Sequence, residues 1–474
     1  MGWMTVHPRQ FLTDAGKDET ILRLMALVES IEERHRAEMA AMRAHYESEL
    51  AVRDARIAAL EVKLEQPPKT PDNSSTPPSA GRKPNGDGAS AMKRRAHAGA
   101  HRPLHPNPTF RRDLFATACR CGADVSSVAQ RECEAYDHVE IPPIVPTVTR
   151  VALHGGKCPC CGGAFKADAP ADMPRGSPYG PNLRALALHL RYTQAISFDR
   201  LAKLLSEMLG VTISEGALVN IVMAACAVFA AQASAIRARL LAGTALQSDE
   251  TGLRVGKKNW WLWVFHHGDS AAFVADASRA KRVVEAFLAG QRPDYWVSDR
   301  YGAQLGWAGT AHQFCVAHLI RDAQYAEDCG DGVFATKLIH LLKRACRIGR
   351  RRDRLTDSTL KVYLWRLETA LDEALAFVPS HEAGAKLQKV VKKARTHLFV
   401  FMTNRDVPAT NNESERSLRS AAVFRKVTNG FRTEWGVAFY ADFRSVVETA
   451  RRRSVGALEA IRLTLAGKPL PLHA

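Results

Sequence analysis

Two aspartates stand in settings that suit the binding of a metal ion. Asp249 in QSDETG and Asp299 in YWVSDRYG each lie beside an apolar, strand-like run, so we predict both at or near strand ends. A carboxylate in that position is held on a rigid scaffold, as a site for a hard cation requires. Aspartates at strand ends also commonly cap helices, so neither residue alone establishes such a site.

A third carboxylate comes from TNNESERSLRS, residues 410–420. Thr410 followed by Glu413 fits a capping box, which gives Glu413 a structural role at a helix start. On the helix that follows, Glu415 lies on the apolar face by three-and-four spacing. A buried ionised carboxylate needs a partner, either Arg419 four residues on or a metal ion shared with the two aspartates.

Three converging carboxylates can hold two Mg²⁺ ions about 4 Å apart, an arrangement that cleaves and forms phosphodiester bonds. Magnesium prefers oxygen ligands, which Asp and Glu supply. Basic residues around the glutamate would then contact DNA phosphates. These are Arg416, Arg419, Arg425 and Lys426. Three tryptophans could stack on bases, although their alternation is more typical of a sheet core. They are Trp260, Trp261 and Trp263.

Cysteines form a second pattern of possible metal ligands. Cys119 and Cys121 lie in CRCG, and Cys158 and Cys161 lie in CPCCGG. Four thiolates from two turns, each followed by glycine, suit a tetrahedral structural Zn²⁺. The C-x-C spacing of the first pair is atypical. The alternative is a degenerate ribbon that folds without metal, or with three cysteines and a weak fourth ligand.

The charge balance indicates the class of partner. The 474 residues include 66 Lys and Arg against 49 Asp and Glu, a net charge of +17. Such an excess is typical of proteins that bind nucleic acid, although some proteins are merely basic. MGWMTVHPRQ lacks the apolar region of a signal peptide. IVMAACAVFAA is too short to span a bilayer and predicts a buried helix. Ten cysteines without a secretion signal predict reduced thiols or a metal site. We therefore expect a cytoplasmic protein with no membrane partner.

Composition and periodicity predict a multidomain α/β protein and divide its chain into segments. From residue 245 the order of predicted elements is β-β-β-α-β-α followed by helices, which is that of an RNase H-like core with a helical insertion. The predicted segments are a coiled-coil helix (1–65), a Pro/Ser-rich basic linker (66–110), a zinc-finger-like module (111–170), a helical DNA-binding segment (171–240), the first part of the catalytic core (241–325), the helical insertion (326–395), the second part of the core with the glutamate helix (396–450) and a C-terminal tail (451–474).

Three of these assignments have plain alternatives. Apolar residues spaced by three and four in 20–65 indicate a coiled coil with breaks, or a single solvated helix. The basic segment 92–102 either binds phosphates or stays solvated. Two helices separated by Gly210, with Ser214 as an N-cap, fit a helix-turn-helix, but the pattern occurs in any helical bundle.

With these motifs identified, the sequence resembles the transposases of the insertion sequence 66 family over most of its length. PDNSSTPPS resembles the family's linker, and CRCGADV and KCPCCGG resemble its zinc-finger halves. QSDETGLRV, SDRYGA, HQFCVAHLIRD and NNESERSLR resemble its catalytic blocks, and VTNGFRTEWG followed by ETARRR resembles its C-terminal end. Thr410 stands where the family usually has Asp, and Ala118 where a cysteine is expected. Cys315 and His318 in FCVAH also match a family block. Their role is either packing or metal binding.

The resemblance implies a DDE transposase with an RNase H-like fold. By motif, Asp249, Asp299 and Glu415 would bind Mg²⁺ or Mn²⁺ for strand cleavage and transfer. The implied partners are the element's terminal inverted repeats and target DNA, and a second copy of the chain or a higher homo-oligomer. The sequence leaves open whether accessory proteins of the element are also needed. The alternatives are a non-catalytic DNA-binding protein derived from a transposase and a nuclease on the same fold.

Overall fold

The computed structural model describes residues 14–74, 102–176 and 178–472. The first nine residues of the predicted linker are therefore described, whereas 75–101, which hold nearly all of the predicted basic segment, lie outside the described residues.

Helices and strands together form an α/β architecture. Within the described ranges the α-helices are α1 (Asp14–Glu65), α2 (Pro181–Leu188), α3 (Phe198–Leu209), α4 (Glu215–Leu241), α5 (Lys281–Leu288), α6 (Val316–Asp328), α7 (Phe334–Gly349), α8 (Asp357–Ala376), α9 (Glu382–Ala394), α10 (Asn412–Thr428), α11 (Glu434–Arg452) and α12 (Ala457–Leu465). The strands are β1 (Gly155–Lys157), β2 (Ala164–Lys166), β3 (Ala245–Val255), β4 (Lys258–His267), β5 (Ser270–Asp276), β6 (Tyr295–Ser298) and β7 (Ala311–Phe314).

A five-stranded mixed sheet with the order β5-β4-β3-β6-β7 forms the centre of the fold. β3, β4 and β5 are antiparallel, whereas β6 pairs parallel with both β3 and β7. Two-residue turns join the antiparallel strands. Each turn begins with a glycine at positive φ, Gly256 at 57° and Gly268 at 51°, as tight hairpin turns require. The sequence prediction of three strands, a helix and a further strand is confirmed.

Helices cover the sheet and build two hydrophobic cores. α4 and α11 pack on β5, and α10 packs on β3 and β4. Phe229, Trp263, Phe287 and Phe443 are fully or almost fully buried in this first core. The second core joins α6, α7, α8 and α9 beside β7. α7, α8 and α9 lie within the predicted insertion.

α4 contains the apolar run that the sequence predicts to be a buried helix. By length and composition α4 could cross a bilayer, but Ile221, Val222, Ala225 and Phe229 are buried in the protein core. Ser214 caps α4, accepting a hydrogen bond of 3.2 Å from the backbone N–H of Ala217, as predicted. α4 packs one face against α11 and β5, whereas Met223 and other residues of the run are exposed. The predicted buried helix is therefore buried on one face only. A DNA-reading role for the α3–α4 pair stays a prediction.

The two N-terminal segments have little or no hydrophobic core among the described residues. α1 is the predicted long helix, and its apolar residues Ile21, Leu24, Val28 and Ile31 are exposed. Residues 102–176 contain the antiparallel β1–β2 hairpin, and no described residue in that range is buried. A small module without a core usually depends on a metal ion, disulfides or a partner for its stability.

Candidate active site

Parallel pairing of β3 with β6 brings the two predicted catalytic aspartates to the same place. Gln247 lies opposite Val297, and Asp249 and Asp299 each follow two residues later along the chain. Asp299 comes directly after β6 ends, as predicted. The prediction that Asp249 lies at a strand end is wrong: β3 continues to Val255 because β4 pairs with it along its whole length.

The environment of Asp249 is crowded with negative charge. Burial, followed by the charges of Glu250 and Asp299 and then that of Glu415, raises the pKa of Asp249 well above its usual range. Its Oδ1 accepts a hydrogen bond of 2.9 Å from the backbone N–H of Glu250. Asp299 Oδ1 accepts one of 2.8 Å from the N–H of Tyr301. The three predicted ligands therefore lie close enough for their charges to interact.

Glu415 is held by two side chains of α6. Its Oε1 accepts a hydrogen bond of 2.8 Å from Arg321 Nη2 and lies 3.6 Å from His318 Nε2. The ion-pair partner of this carboxylate is therefore Arg321 rather than Arg419, the sequence-based alternative, because α6 brings its own arginine against α10. Burial, followed by the charge of Arg321, lowers the pKa of His318.

The start of α10 differs from the predicted capping box. The helix begins at Asn412 after Asn411, and the Asn411 side chain makes no capping hydrogen bond. Thr410 is not the cap, and Glu413 lies 3.5 Å from Arg452 instead of reaching back to the helix start. The capping-box prediction is therefore wrong, since tertiary contacts determine the conformation of this turn.

Asn411 connects the elements that carry Glu415 and Asp249. Its buried side chain donates a hydrogen bond of 2.7 Å to the carbonyl of Ser248, the residue before Asp249. Its Oδ1 accepts a hydrogen bond of 2.5 Å from Ser414 Oγ, and Ser414 in turn lies 2.7 Å from His266 Nε2 on β4. The asparagine of NNESER thus ties the glutamate helix to the aspartate strand.

Cys315 acquires a role that the sequence leaves open. It precedes α6, is buried, and its Sγ accepts a hydrogen bond of 3.1 Å from the backbone N–H of Asn411. Burial raises the pKa of Cys315 to about 11, so the side chain stays a neutral thiol at pH 7. The hydrogen bond from Asn411 supports the packing interpretation of Cys315.

Glu250 is a further buried carboxylate, which the sequence motifs do not single out. Its side chain is 1% exposed and pairs with Arg279 at 2.6 Å. Gln304 Nε2 donates to Glu250 at 2.5 Å, and the Arg279 guanidinium lies 3.9 Å from the ring centroid of Tyr301. Glu250 therefore holds the loop that begins at Asp299. The sequence signal was an acidic residue adjoining Asp249.

The predicted DNA-contacting residues occupy different environments. Arg416, Arg419 and Lys426 are exposed on α10. Arg425 is half-buried and donates to the carbonyl of Gly252 on β3, so it helps to attach α10 to the sheet.

The tryptophans of β4 belong to the sheet core, as their alternation predicts. Trp263 is fully buried, and Trp260 and Trp261 are partly buried against the same core. Trp261 also lies 4.7 Å from the guanidinium of Arg279.

The three carboxylates are suitable ligands for a divalent cation, but their side chains are not arranged around a common point. Among residues 14–74, 102–176 and 178–472, no group of three or more His, Cys, Asp or Glu is arranged to hold a metal ion. The excess negative charge around Asp249 fits a hard cation. Arg321, however, donates a hydrogen bond to Glu415, and a backbone N–H donates a hydrogen bond to one oxygen of each aspartate. Because Arg321 pairs with Oε1 of Glu415, an ion bound by Glu415 would lie beside that positive charge.

The predicted zinc ligands form two separate turns. The N–H of Cys119 donates to the carbonyl of Ala123 at 2.8 Å, and the N–H of Cys158 donates to that of Gly163 at 2.8 Å. Hydrogen bonds from neighbouring residues lower the pKa of both thiols. For Cys119 the main donor is Cys121, and for Cys158 it is Cys161. Each turn fits half of a zinc site, but the described residues do not bring the two halves together.

Comparison with known proteins identifies a family for the larger part of the chain. A family model described as "Transposase IS66 family" matches residues 176–438. The matched range contains the three carboxylates and starts after both cysteine turns. A search of the curated proteins finds no match.

Proposed function

The chain belongs to the IS66 family of transposases, and from that premise we propose that it is a DDE transposase. It cleaves DNA at the ends of its own element and joins those ends to target DNA, with Mg²⁺ or Mn²⁺ as cofactor. The observation that carries this proposal is the parallel pairing of β3 with β6, which brings Asp249 and Asp299 to neighbouring positions, together with the charge of Glu415 that acts on Asp249.

The sheet supports an RNase H-like catalytic core. Three antiparallel strands are followed by two parallel ones, and the chain enters at the central strand β3. α5 connects β5 to β6, and α6 follows β7. In this arrangement Asp249 lies on the central strand β3, and Asp299 directly follows the adjacent strand β6. Glu415 is supplied by α10, which packs on β3 and β4.

Each part of the site has a distinct role in the proposed reaction. Asp249, Asp299 and Glu415 would hold the ions, which when bound activate the attacking oxygen and stabilise the leaving one. Exposed Arg416 and Arg419 lie on the same helix as Glu415 and would bind DNA phosphates, positioning the strand. No covalent bond between protein and DNA is required.

The remaining segments would assemble the complex on DNA. α1 pairs two copies of the chain so that two element ends are processed together. The module at 111–170 binds Zn²⁺ through Cys119, Cys121, Cys158 and Cys161, which supports its fold in place of a hydrophobic core. The partners are the terminal inverted repeats, target DNA and accessory proteins of the element, in the cytoplasm.

An assay with labelled element ends tests the proposal. We expect the parent protein to cleave and join these ends in Mg²⁺, and Asp249→Asn to retain binding while both reactions fall by at least a thousandfold. The matched control is Asp294→Asn, an exposed aspartate. Binding without cleavage by the parent would identify a DNA-binding protein, and cleavage without joining a nuclease. Equal activity of parent and Asp249→Asn would refute the metal-ligand assignment.

A further inference from the structure

The segment that follows the long helix is folded onto the protein. Residues 66–74, QPPKTPDNS, follow α1 directly and contact the C-terminal half of α6. We call them the Asn73 clasp. Asn73 Nδ2 donates a hydrogen bond of 2.9 Å to Asp328 Oδ2, Tyr325 Oη donates one of 3.4 Å to Gln66, and Lys69 Nζ lies 5.1 Å from the centroid of the Tyr325 ring.

The clasp has an internal structure centred on one side chain. Asn73 Oδ1 accepts a hydrogen bond of 2.7 Å from the N–H of Thr70, and its Nδ2 also donates to the carbonyl of Pro68 at 3.3 Å. Ser74 Oγ donates to the carbonyl of Thr70 at 2.6 Å. Asn73 and Ser74 are each only 6% exposed. Both ends of the amide are therefore used, so another residue of similar size would not replace it.

The chain composition lowers the entropic cost of this docking. Three of the nine clasp residues, Pro67, Pro68 and Pro71, are prolines. Proline restricts the unbound chain, so less conformational freedom is lost when the segment docks. This composition favours a preformed docking segment over a flexible tether.

The helix that receives the clasp is also the helix that holds the candidate active site. α6 is 13 residues long, about 20 Å at the usual rise of an α-helix. Its first turns carry His318 and Arg321 against Glu415. Asp322, one residue further on, forms an ion pair with Arg300, the neighbour of Asp299. The clasp binds the other end of α6, at Tyr325 and Asp328.

We propose that the Asn73 clasp fixes α1 to α6, and thereby couples the pairing of two chains through α1 to the placement of their catalytic centres. The docking is a property of the single chain. The coupling rests on the proposed function, because it concerns the joining of two element ends. A flexible connection would let α1 pair chains without orienting their active sites, whereas a docked one gives the two sites a defined relationship.

Hydrogen exchange on the full chain tests the docking without using activity. We expect Asn73→Ala to speed amide exchange in residues 66–74 by about tenfold, the change expected for a lost hydrogen-bonded turn. Asp328→Ala should act in the same direction. The matched control is Asp72→Ala, at an exposed neighbouring position. Unchanged exchange in Asn73→Ala would overturn the docking, as would a loss of parental protection on dilution to monomers, which would assign the contact to a second chain.

Reactions with one and two element ends test the coupling. We expect Asn73→Ala to cleave a single end within twofold of the parent rate, while concerted joining of two ends falls at least tenfold. Asp72→Ala should match the parent in both reactions. The coupling would be overturned if Asn73→Ala slowed both reactions equally or slowed neither. If the parent cleaves no DNA, the proposed function fails, whereas the exchange result still decides the docking.

Discussion

The carboxylate of Glu415 and the guanidinium of Arg321 form a hydrogen-bonded ion pair of 2.8 Å between α10 and α6. Both side chains are more than two-thirds buried, at 30% and 18% exposed. A cation that uses Glu415 as a ligand must therefore compete with a positive charge already in place. For the proposed Mg²⁺ or Mn²⁺ site, Arg321 is therefore expected to lower the affinity for the ion without being a ligand.

Replacing Arg321 with Gln should strengthen divalent-cation binding. The substitution removes the competing charge, and we expect the affinity for Mn²⁺ to rise about tenfold, since a hydrogen bond to a charged group contributes about 1.5–3 kcal/mol. Titration of free Mn²⁺ by electron paramagnetic resonance measures this directly. Arg416→Gln, on the exposed side of α10, is the control. Unchanged or weaker Mn²⁺ binding in Arg321→Gln would contradict the prediction.

Replacing Glu250 with Gln should loosen the loop that carries Asp299. Arg279 and Gln304 both bind the Glu250 carboxylate, so the neutral amide leaves a buried network partly unsatisfied. We expect a loss of about 1–3 kcal/mol in the free energy of unfolding, measured by denaturant titration. Glu285→Gln, an exposed site on α5, should stay within about 0.5 kcal/mol of the parent. Parental stability in Glu250→Gln would show that the network is dispensable.

Asp442 on α11 should make stability depend on pH. Burial raises the pKa of Asp442 to about 6, above the ordinary value of about 3.9 for an unfolded chain. Between these values the folded state binds a proton that the unfolded state does not, so stability falls as pH rises from about 4 to about 6. Asp442→Asn should remove this dependence and add about 1–2 kcal/mol at pH 7, after allowance for partial exposure.

Unfolding titrations across that pH range measure the effect of Asp442. Asp294→Asn, at an exposed position, controls for the change of charge. An identical pH profile in the parent and in Asp442→Asn would mean that this carboxyl is solvated as an ordinary one.

Replacing a predicted zinc ligand should release the metal from the module at 111–170 and loosen its fold. We expect Cys158→Ser to lower the bound zinc measured by mass spectrometry from about one equivalent to less than a fifth, with faster amide exchange across residues 102–176. Cys133→Ser changes an exposed thiol of the same module outside both turns and should retain the metal. A parent protein purified without zinc, and unable to bind added Zn²⁺, would exclude the assignment.

An acidic substitution on α1 should abolish pairing of the chains. Leu24 is 56% exposed on the apolar seam, and Leu24→Asp would place a charge in a paired interface. Light scattering after size-exclusion chromatography should show the mass of a monomer, whereas Glu38→Gln, an exposed position on the same helix, should retain the dimer. A monomeric parent at high concentration would exclude a paired role for α1.

The sequence predicts those features that local patterns determine. Alternating apolar residues and turn glycines give the strands β3 to β6, and the uninterrupted run around Val222 gives α4. Contacts between distant residues are not visible in such patterns. The capping box at Thr410 is wrong because Asn411 binds Ser248, which is 163 residues away. Glu250 is missed because its partner Arg279 comes from another loop 29 residues on.

Cys315 and Asn411 are 96 residues apart in sequence, yet Cys315 Sγ accepts the Asn411 N–H at 3.1 Å. The N–H of Val316 likewise donates to the carbonyl of Ala409 at 3.0 Å. The chain that leaves the sheet after β7 thus returns beside its point of departure, and residues 397–401 also contact β7. Because the two ends of the α6–α9 segment meet, the exposed loops between α7, α8 and α9 could accept insertions with little displacement of the residues at the junction. New binding surfaces could therefore be added in this segment during evolution while the candidate active site stays unchanged.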